Sequence, residues 1–192
     1  MQRATLRFLL VAVVLSVGTA GCSGVFICRP PSAAPCDIET LLVQETAFPE
    51  GWEESGPPRS EEATARFGIE KIGTGFSTPK YGVAIQDVYR AQDAGAAASG
   101  YQDFMSFFLL REGETEWFLP SELTYGTPSA DQFRLGCSTQ RTSGVERCQF
   151  IAQYGVYLLR FHTYMSPEMM TYDDLKHILQ DIERRMVECL DL

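Results

Sequence analysis

Two histidines are all that this 192-residue chain has, and its 16 lysines and arginines are outnumbered by 25 aspartates and glutamates. The first shortage removes the histidine-rich ligand sets of common zinc centres, and no Cys-x-x-Cys pair takes their place. The second leaves a net charge of −9, which repels phosphate backbones and anionic headgroups, so nucleic acid is excluded as a partner class. Long apolar runs are missing too. The run from Phe8 to Ala20 is thirteen residues, short of the ~20 that a bilayer-spanning helix needs. No Gly-x-Ser-x-Gly elbow occurs, and no cysteine has a histidine beside it in sequence. Gly73-Thr-Gly75 lacks the further glycine of a dinucleotide loop and reads as a turn. These absences predict a chain that is not an enzyme, with no catalytic, metal-binding or cofactor-binding residues.

What is present begins with a targeting pattern. Met1 to Arg7 carries two positive charges and no acid, the apolar run follows, and Gly18-Thr-Ala-Gly21 ends it in small residues before Cys22. That anatomy is a signal peptide rather than a membrane span. Thr19-Ala20-Gly21-Cys22 resembles the lipobox of bacterial lipoproteins, with Ala20 and Gly21 matching and threonine standing where leucine is usual. The resemblance implies removal of residues 1–21, a diacylglyceryl thioether on Cys22, palmitate-type acylation and lipid anchoring at the extracytoplasmic face of the cell membrane. Two or more acyl chains give stable attachment where one is marginal. The ordinary secretory reading makes Cys22 one more mature cysteine. Without residues 1–21 the net charge is −11, so the membrane partner is reached through the anchor and not through a basic patch. Residues 22–36, with Pro30, Pro31 and Pro35, read as an extended tether, and 37–192 as a single domain.

Export permits disulfides. With Cys22 lipidated, Cys28, Cys36, Cys137, Cys148 and Cys189 remain, an odd number; a further bridge among Cys28, Cys36 and Cys189 is open. One pairing follows from strand geometry. Residues 132–139 and 145–154 read as strands joined by Arg141 to Gly144, a register that sets Cys137 opposite Cys148, Leu135 opposite Phe150 and Phe133 opposite Ala152. A turn at Tyr154-Gly155 would add a third strand with Tyr157 opposite Ala152, Leu159 opposite Phe150 and Phe161 opposite Cys148. One face of this meander is then apolar, while the other carries Arg134, Arg147, Gln149, Gln153, Arg160 and His162.

Elsewhere, Asp37 caps a short helix, and 61–66 is a further helical stretch. Tyr81, Val83, Ile85 and Tyr89 alternate as a half-buried strand, and Asp93 opens a helix running to about Leu110. Thr171 with Asp174 forms a capping-box-like start to the last helix, whose stripe includes Leu175, Ile178, Leu179, Ile182, Met186 and Cys189. The expected class is α+β, an antiparallel sheet including a C-terminal three-stranded meander, with helices over one face. His177 lies between Asp173 and Asp181 at helical spacing, which reads as a solvated face rather than a metal site. Trp52, Trp117 and Phe118 read as core rather than as the lining of a cleft.

Leu41-Leu42, Phe48-Pro-Glu-Gly-Trp52 and Val88-Tyr89-Arg90 before an alanine-rich helix are similar to the start of exported sensor-type domains. Such domains occur in bacterial lipoproteins and outside some Ser/Thr kinases. The resemblance implies a disulfide-stapled sheet with helices and no defined ligand. The expectation is therefore a non-catalytic envelope module that binds a small ligand or an envelope protein. Two alternatives stand beside it: an envelope hydrolase with a dispersed active site that uses His162 or His177, and a structural spacer.

Overall fold

The structure, a computed structural model, describes residues 36–61, 70–80, 82–108, 113–127 and 129–191. The leader, Cys22, Cys28 and the tether before Cys36 lie outside the described residues, as does the helical stretch expected over 61–66 except for Glu61, which is strand instead.

Seven antiparallel strands form one sheet: β1 (Glu53–Glu54), β2 (Arg59–Glu61), β3 (Glu70–Ser77), β4 (Val83–Arg90), β5 (Gln132–Thr139), β6 (Glu146–Tyr154) and β7 (Tyr157–Met165). Their order is β1-β3-β4-β7-β6-β5, with β2 also on β3, so the C-terminal meander enters with β7 against β4. Helix α1 (Ala94–Phe104) begins at Asp93, whose carboxylate accepts from Ala96 N, and α2 (Tyr172–Leu190) begins with a full capping box between Thr171 and Asp174. The fold is α+β, with the expected meander at its C-terminal end.

Gly144, at φ +69°, makes the left-handed corner that the first hairpin requires, and β5 meets β6 in the anticipated register. Cys137 lies opposite Cys148 and is bonded to it, with 4.0 Å between their Cα atoms. Both backbone groups of Cys137 bond to Phe118 instead of β6, so the two cysteines occupy a non-hydrogen-bonded pair, the closer of the two kinds. The second hairpin corrects the expectation by two residues. Its turn is Gly155-Val156, which pairs Tyr154 with Tyr157, Ala152 with Leu159, Phe150 with Phe161 and Cys148 with Thr163. Gly155 at φ +57° takes the first central place, as a type II′ turn demands, and Tyr154 stays in the strand, wholly buried. Because side chains alternate with period two, this slip leaves every face unchanged.

Helix α2 lies on one face. Its Leu175, Ile178, Leu179, Ile182 and Met186 join Ile72, Phe76, Val88, Phe150, Leu159 and Phe161 in the main core. On β4 the residues facing α2 are Ala84, Gln86 and Val88; of the alternating set expected to be buried, Val83 and Ile85 are half-buried, Tyr89 is buried on the other face, and Tyr81 lies outside the described residues. Both sets are comparably apolar except for Gln86. That amide is satisfied, since it accepts from Val43 N at 2.6 Å and donates to Leu41 O at 3.2 Å. Trp52 is core, its indole N–H donating to Met169 O.

The opposite face, expected to be mostly polar with helices over the first face alone, is covered as well. Helix α1 ends at Phe104 and tightens into a 3-10 turn, Met105–Phe108, instead of continuing to Leu110. Tyr101, Phe104 and Phe108 form a second core with Tyr89, Ile151 and Leu158. Close approach is possible because Gly100 has no Cβ; one placed there would sit 2.6 Å from Leu158 Cδ1. Gln149, Gln153 and Arg147 on this face are consequently buried.

A second disulfide joins Cys36 to Cys189 near the end of α2, closing the domain on itself. Loop 121–131 is clasped to the same helix: Tyr125 donates to Leu179 O, Tyr154 to the Glu183 carboxylate, and Glu183 accepts from Ser129 N. Burial pushes the Tyr125 and Tyr154 phenols well above their ordinary value, helped by the Glu183 charge at Tyr125 and by the hydrogen bond to Glu183 and then its charge at Tyr154, and Tyr172 is raised by burial and its bond to Glu146. The folded state keeps these protons after the unfolded chain has released them. Stability is therefore complete below about pH 10 and falls as pH rises beyond it. Urea unfolding at stepped alkaline pH is expected to show this decline, and Tyr154→Phe to make it shallower.

Candidate ligand groove

The edge of the sheet builds an open groove. From Glu54, opposite Phe76, to Arg59, opposite Gly73, the edge chain takes five steps where β3 takes three. The surplus is expelled as Gly56-Pro57-Pro58, and proline, lacking an N–H, cannot rejoin the ladder. This excursion walls one side of a cavity of about 480 Å³, within the ~300–1,000 Å³ usual for small-molecule sites. Val83 and Ile85 stand across from it, and Gly73 and Gly75 leave the β3 backbone as its floor. Gly73-Thr-Gly75 is thus strand rather than turn. The Asp87 carboxylate lies over Gly73, where an added Cβ would come within 2.9 Å of Oδ1.

Charges collect at one end of the groove. Lys71 Nζ is 3.0 Å from Glu61 and 3.4 Å from Asp87 Oδ1; Arg160 Nε is 3.7 Å from Asp87 Oδ2. Asp87 is 8% exposed. Its two ion pairs exceed the ~2.7–2.9 Å of a charge-assisted hydrogen bond, and among the described residues it accepts no hydrogen bond. Arg160 Nε is buried without one, whereas the Asp87 side chain keeps 12% exposure and lines the groove. Burial pushes the Lys71 ammonium down, but the hydrogen bond to Glu61 and the Asp87 charge outweigh it and hold it above its ordinary value. It is a cation at neutral pH. The groove thus pairs apolar walls with a near-neutral set of fixed charges whose carboxylate has acceptor capacity to spare.

Of the residues singled out from sequence, His162 borders this groove without lining it, opposite Ile85 in the β4–β7 register, and the others are not in its lining. His162 is half-buried on β7, its Nδ1 3.5 Å from an Arg160 nitrogen. His177 and Asp173 are exposed on α2. Asp181 is held by Arg185 and Arg184, whose hydrogen bonds overcome a burial penalty and keep its carboxyl below the usual range. Trp117 packs at a tilt against Phe108 with the Arg147 guanidinium 5.1 Å from its ring centroid, while Phe118, expected in the core, bridges to the outer edge of β5 and is 41% exposed. Among the described residues, Cys137, Glu146 and Cys148 cluster tightly enough to share an ion, but the two sulfurs are bonded to each other. Asp87 and Lys71 carried no expectation from sequence, and Gly73 and Gly75 were expected only in a turn. The available signal was glycine at alternate positions beside an alternating strand, a mark of close backbone approach.

No family model matches the chain, and no curated protein matches it. Among solved structures, it is similar to the extracellular domain of PknH from Mycobacterium tuberculosis, with a TM-score of 0.54 and 12% identity. The likeness covers 82% of this chain and 98% of that one, and it establishes a shared fold: an antiparallel sheet with helices, common to this chain and an extracellular domain.

Proposed function

We propose that this chain is an exported lipoprotein, anchored through Cys22 at the extracytoplasmic face of the membrane, whose domain is a non-catalytic ligand-binding module of the cell envelope. The groove carries the reading: a floor stripped of side chains, a proline wall, and a mostly buried carboxylate that lines the cavity and accepts no hydrogen bond from the described residues. Its lining holds neither histidine nor serine–histidine pairing, which favours binding over hydrolysis. Two disulfides fit an oxidising compartment, and the shared fold with an extracellular domain agrees with it.

The test is crosslinking from intact membranes with a photoreactive group placed at Ile85, on the groove wall. A discrete adduct is expected, and it is expected to disappear when Gly75→Val fills the floor. Valine suits a strand, and the nearest backbone atom to an added Cβ is 3.8 Å away, so folding is retained. An adduct unaffected by Gly75→Val, or none at all, would leave the structural-spacer reading in place.

A further inference from the structure

Resting on that binding role, we infer that the groove takes a neutral, polyhydroxylated ligand, a pyranose unit of a glycan. Three features lead there. The first is charge. Arg59, Lys71 and Arg160 face Glu61 and Asp87 at and beside the groove, so the fixed charges nearly cancel. An anionic ligand would meet Asp87 and Glu61, and a cationic one Lys71 and Arg160; a neutral ligand meets neither penalty.

The second feature is unused hydrogen-bonding capacity of the right kind. The Asp87 carboxylate is an acceptor only, and its ion pairs are too long to be hydrogen bonds. A pair of adjacent hydroxyls supplies two donors to it, and the same oxygens can accept from Lys71, an arrangement a simple apolar molecule cannot satisfy. Gly73 makes the arrangement possible, because any side chain there would collide with Oδ1 and tilt the carboxylate away. The third is the apolar wall. Pro57, Pro58, Val83 and Ile85 offer C–H surface to the hydrophobic face of a sugar ring, while the glycine floor lets the ring lie close to the strand.

The experiment uses the full mature chain in detergent, titrated by calorimetry with neutral sugars: glucose, galactose, mannose, N-acetylglucosamine and their trisaccharides. Glucuronate and glucosamine serve as the anionic and cationic counterparts. Saturable binding of a neutral sugar is expected, with the charged counterparts roughly tenfold weaker or more. Asp87→Asn keeps the shape but replaces one acceptor oxygen by a donor, and is expected to weaken binding by a similar factor. Gly75→Val is expected to abolish it, with the near-UV circular dichroism of both variants unchanged. The inference is overturned if no neutral sugar saturates the protein, if a charged counterpart binds more tightly, or if binding survives both substitutions. If sugars fail but the membrane adduct still depends on Gly75, the groove stands and only the ligand class falls. If both fail, the binding role falls with it.

Discussion

Replacing Cys36 and Cys189 together by serine is expected to lower the unfolding free energy by about 5 kcal/mol, against about 3 kcal/mol for Cys137 with Cys148, by loop entropy alone. The difference follows from separation along the chain, 153 residues for one bridge and 11 for the other. The long bridge restrains nearly the whole unfolded domain. The short one links strands that already meet in register, between Leu135–Phe150 pairing on one side and the hairpin turn on the other. Cys36 has further partners: its carbonyl accepts from the Tyr157 hydroxyl at 3.1 Å, so loss of the bridge also loosens the closure of the chain onto β7. Equilibrium unfolding in guanidinium of the two double variants, compared with the unaltered chain, gives both values. Equal losses would show that the two ends are held mainly by packing.

Phe150→Ala is expected to cost about 3–5 kcal/mol, the range for emptying a large buried aromatic site. Phe150 is wholly buried on β6, opposite Leu135 and Phe161, with Tyr125 edge-on at 6.0 Å between ring centroids. Because Tyr125 also anchors loop 121–131 to α2, the cavity cannot collapse without disturbing the clasp. The next residue, Ile151, faces the other way into the core beneath α1. Ile151→Ala is expected to cost about 2–5 kcal/mol there. Limited proteolysis separates the two cores, since the first variant exposes loop 121–131 and the second the segment after α1. Cleavage at the same place in both would mean that the sheet does not divide the domain into two cores.

Legibility from sequence followed the physics of each element. The first hairpin was readable because Gly144 marks its turn and the apolar residues on both sides alternate. The second was readable only as to face: a period-two pattern is blind to a shift of two, and only the choice of Gly155 as first central residue separates the registers. Strand β4 misled because Ala84 and Val88 differ little in polarity from Val83 and Ile85, and the deciding partner of Gln86 lies 43 residues away at Val43. The cover over the second face was hidden for the same reason. Arg134 and Arg160 look like solvent residues, yet their guanidinium groups stack on Phe108 and Phe107 from the 3-10 turn. The groove was least legible, because it depends on a cross-strand pair, Gly73 with Asp87, and on an edge excursion that has no local signature beyond two prolines.

The anchoring proposal places the groove outside the cytoplasm and makes a ligand of the envelope its natural occupant. Mass spectrometry of the mature chain extracted from membranes tests this directly. The account predicts a chain that starts at Cys22, with a diacylglyceryl thioether on the sulfur and the leader gone. An intact leader, or Cys22 carrying a bare thiol, would contradict it.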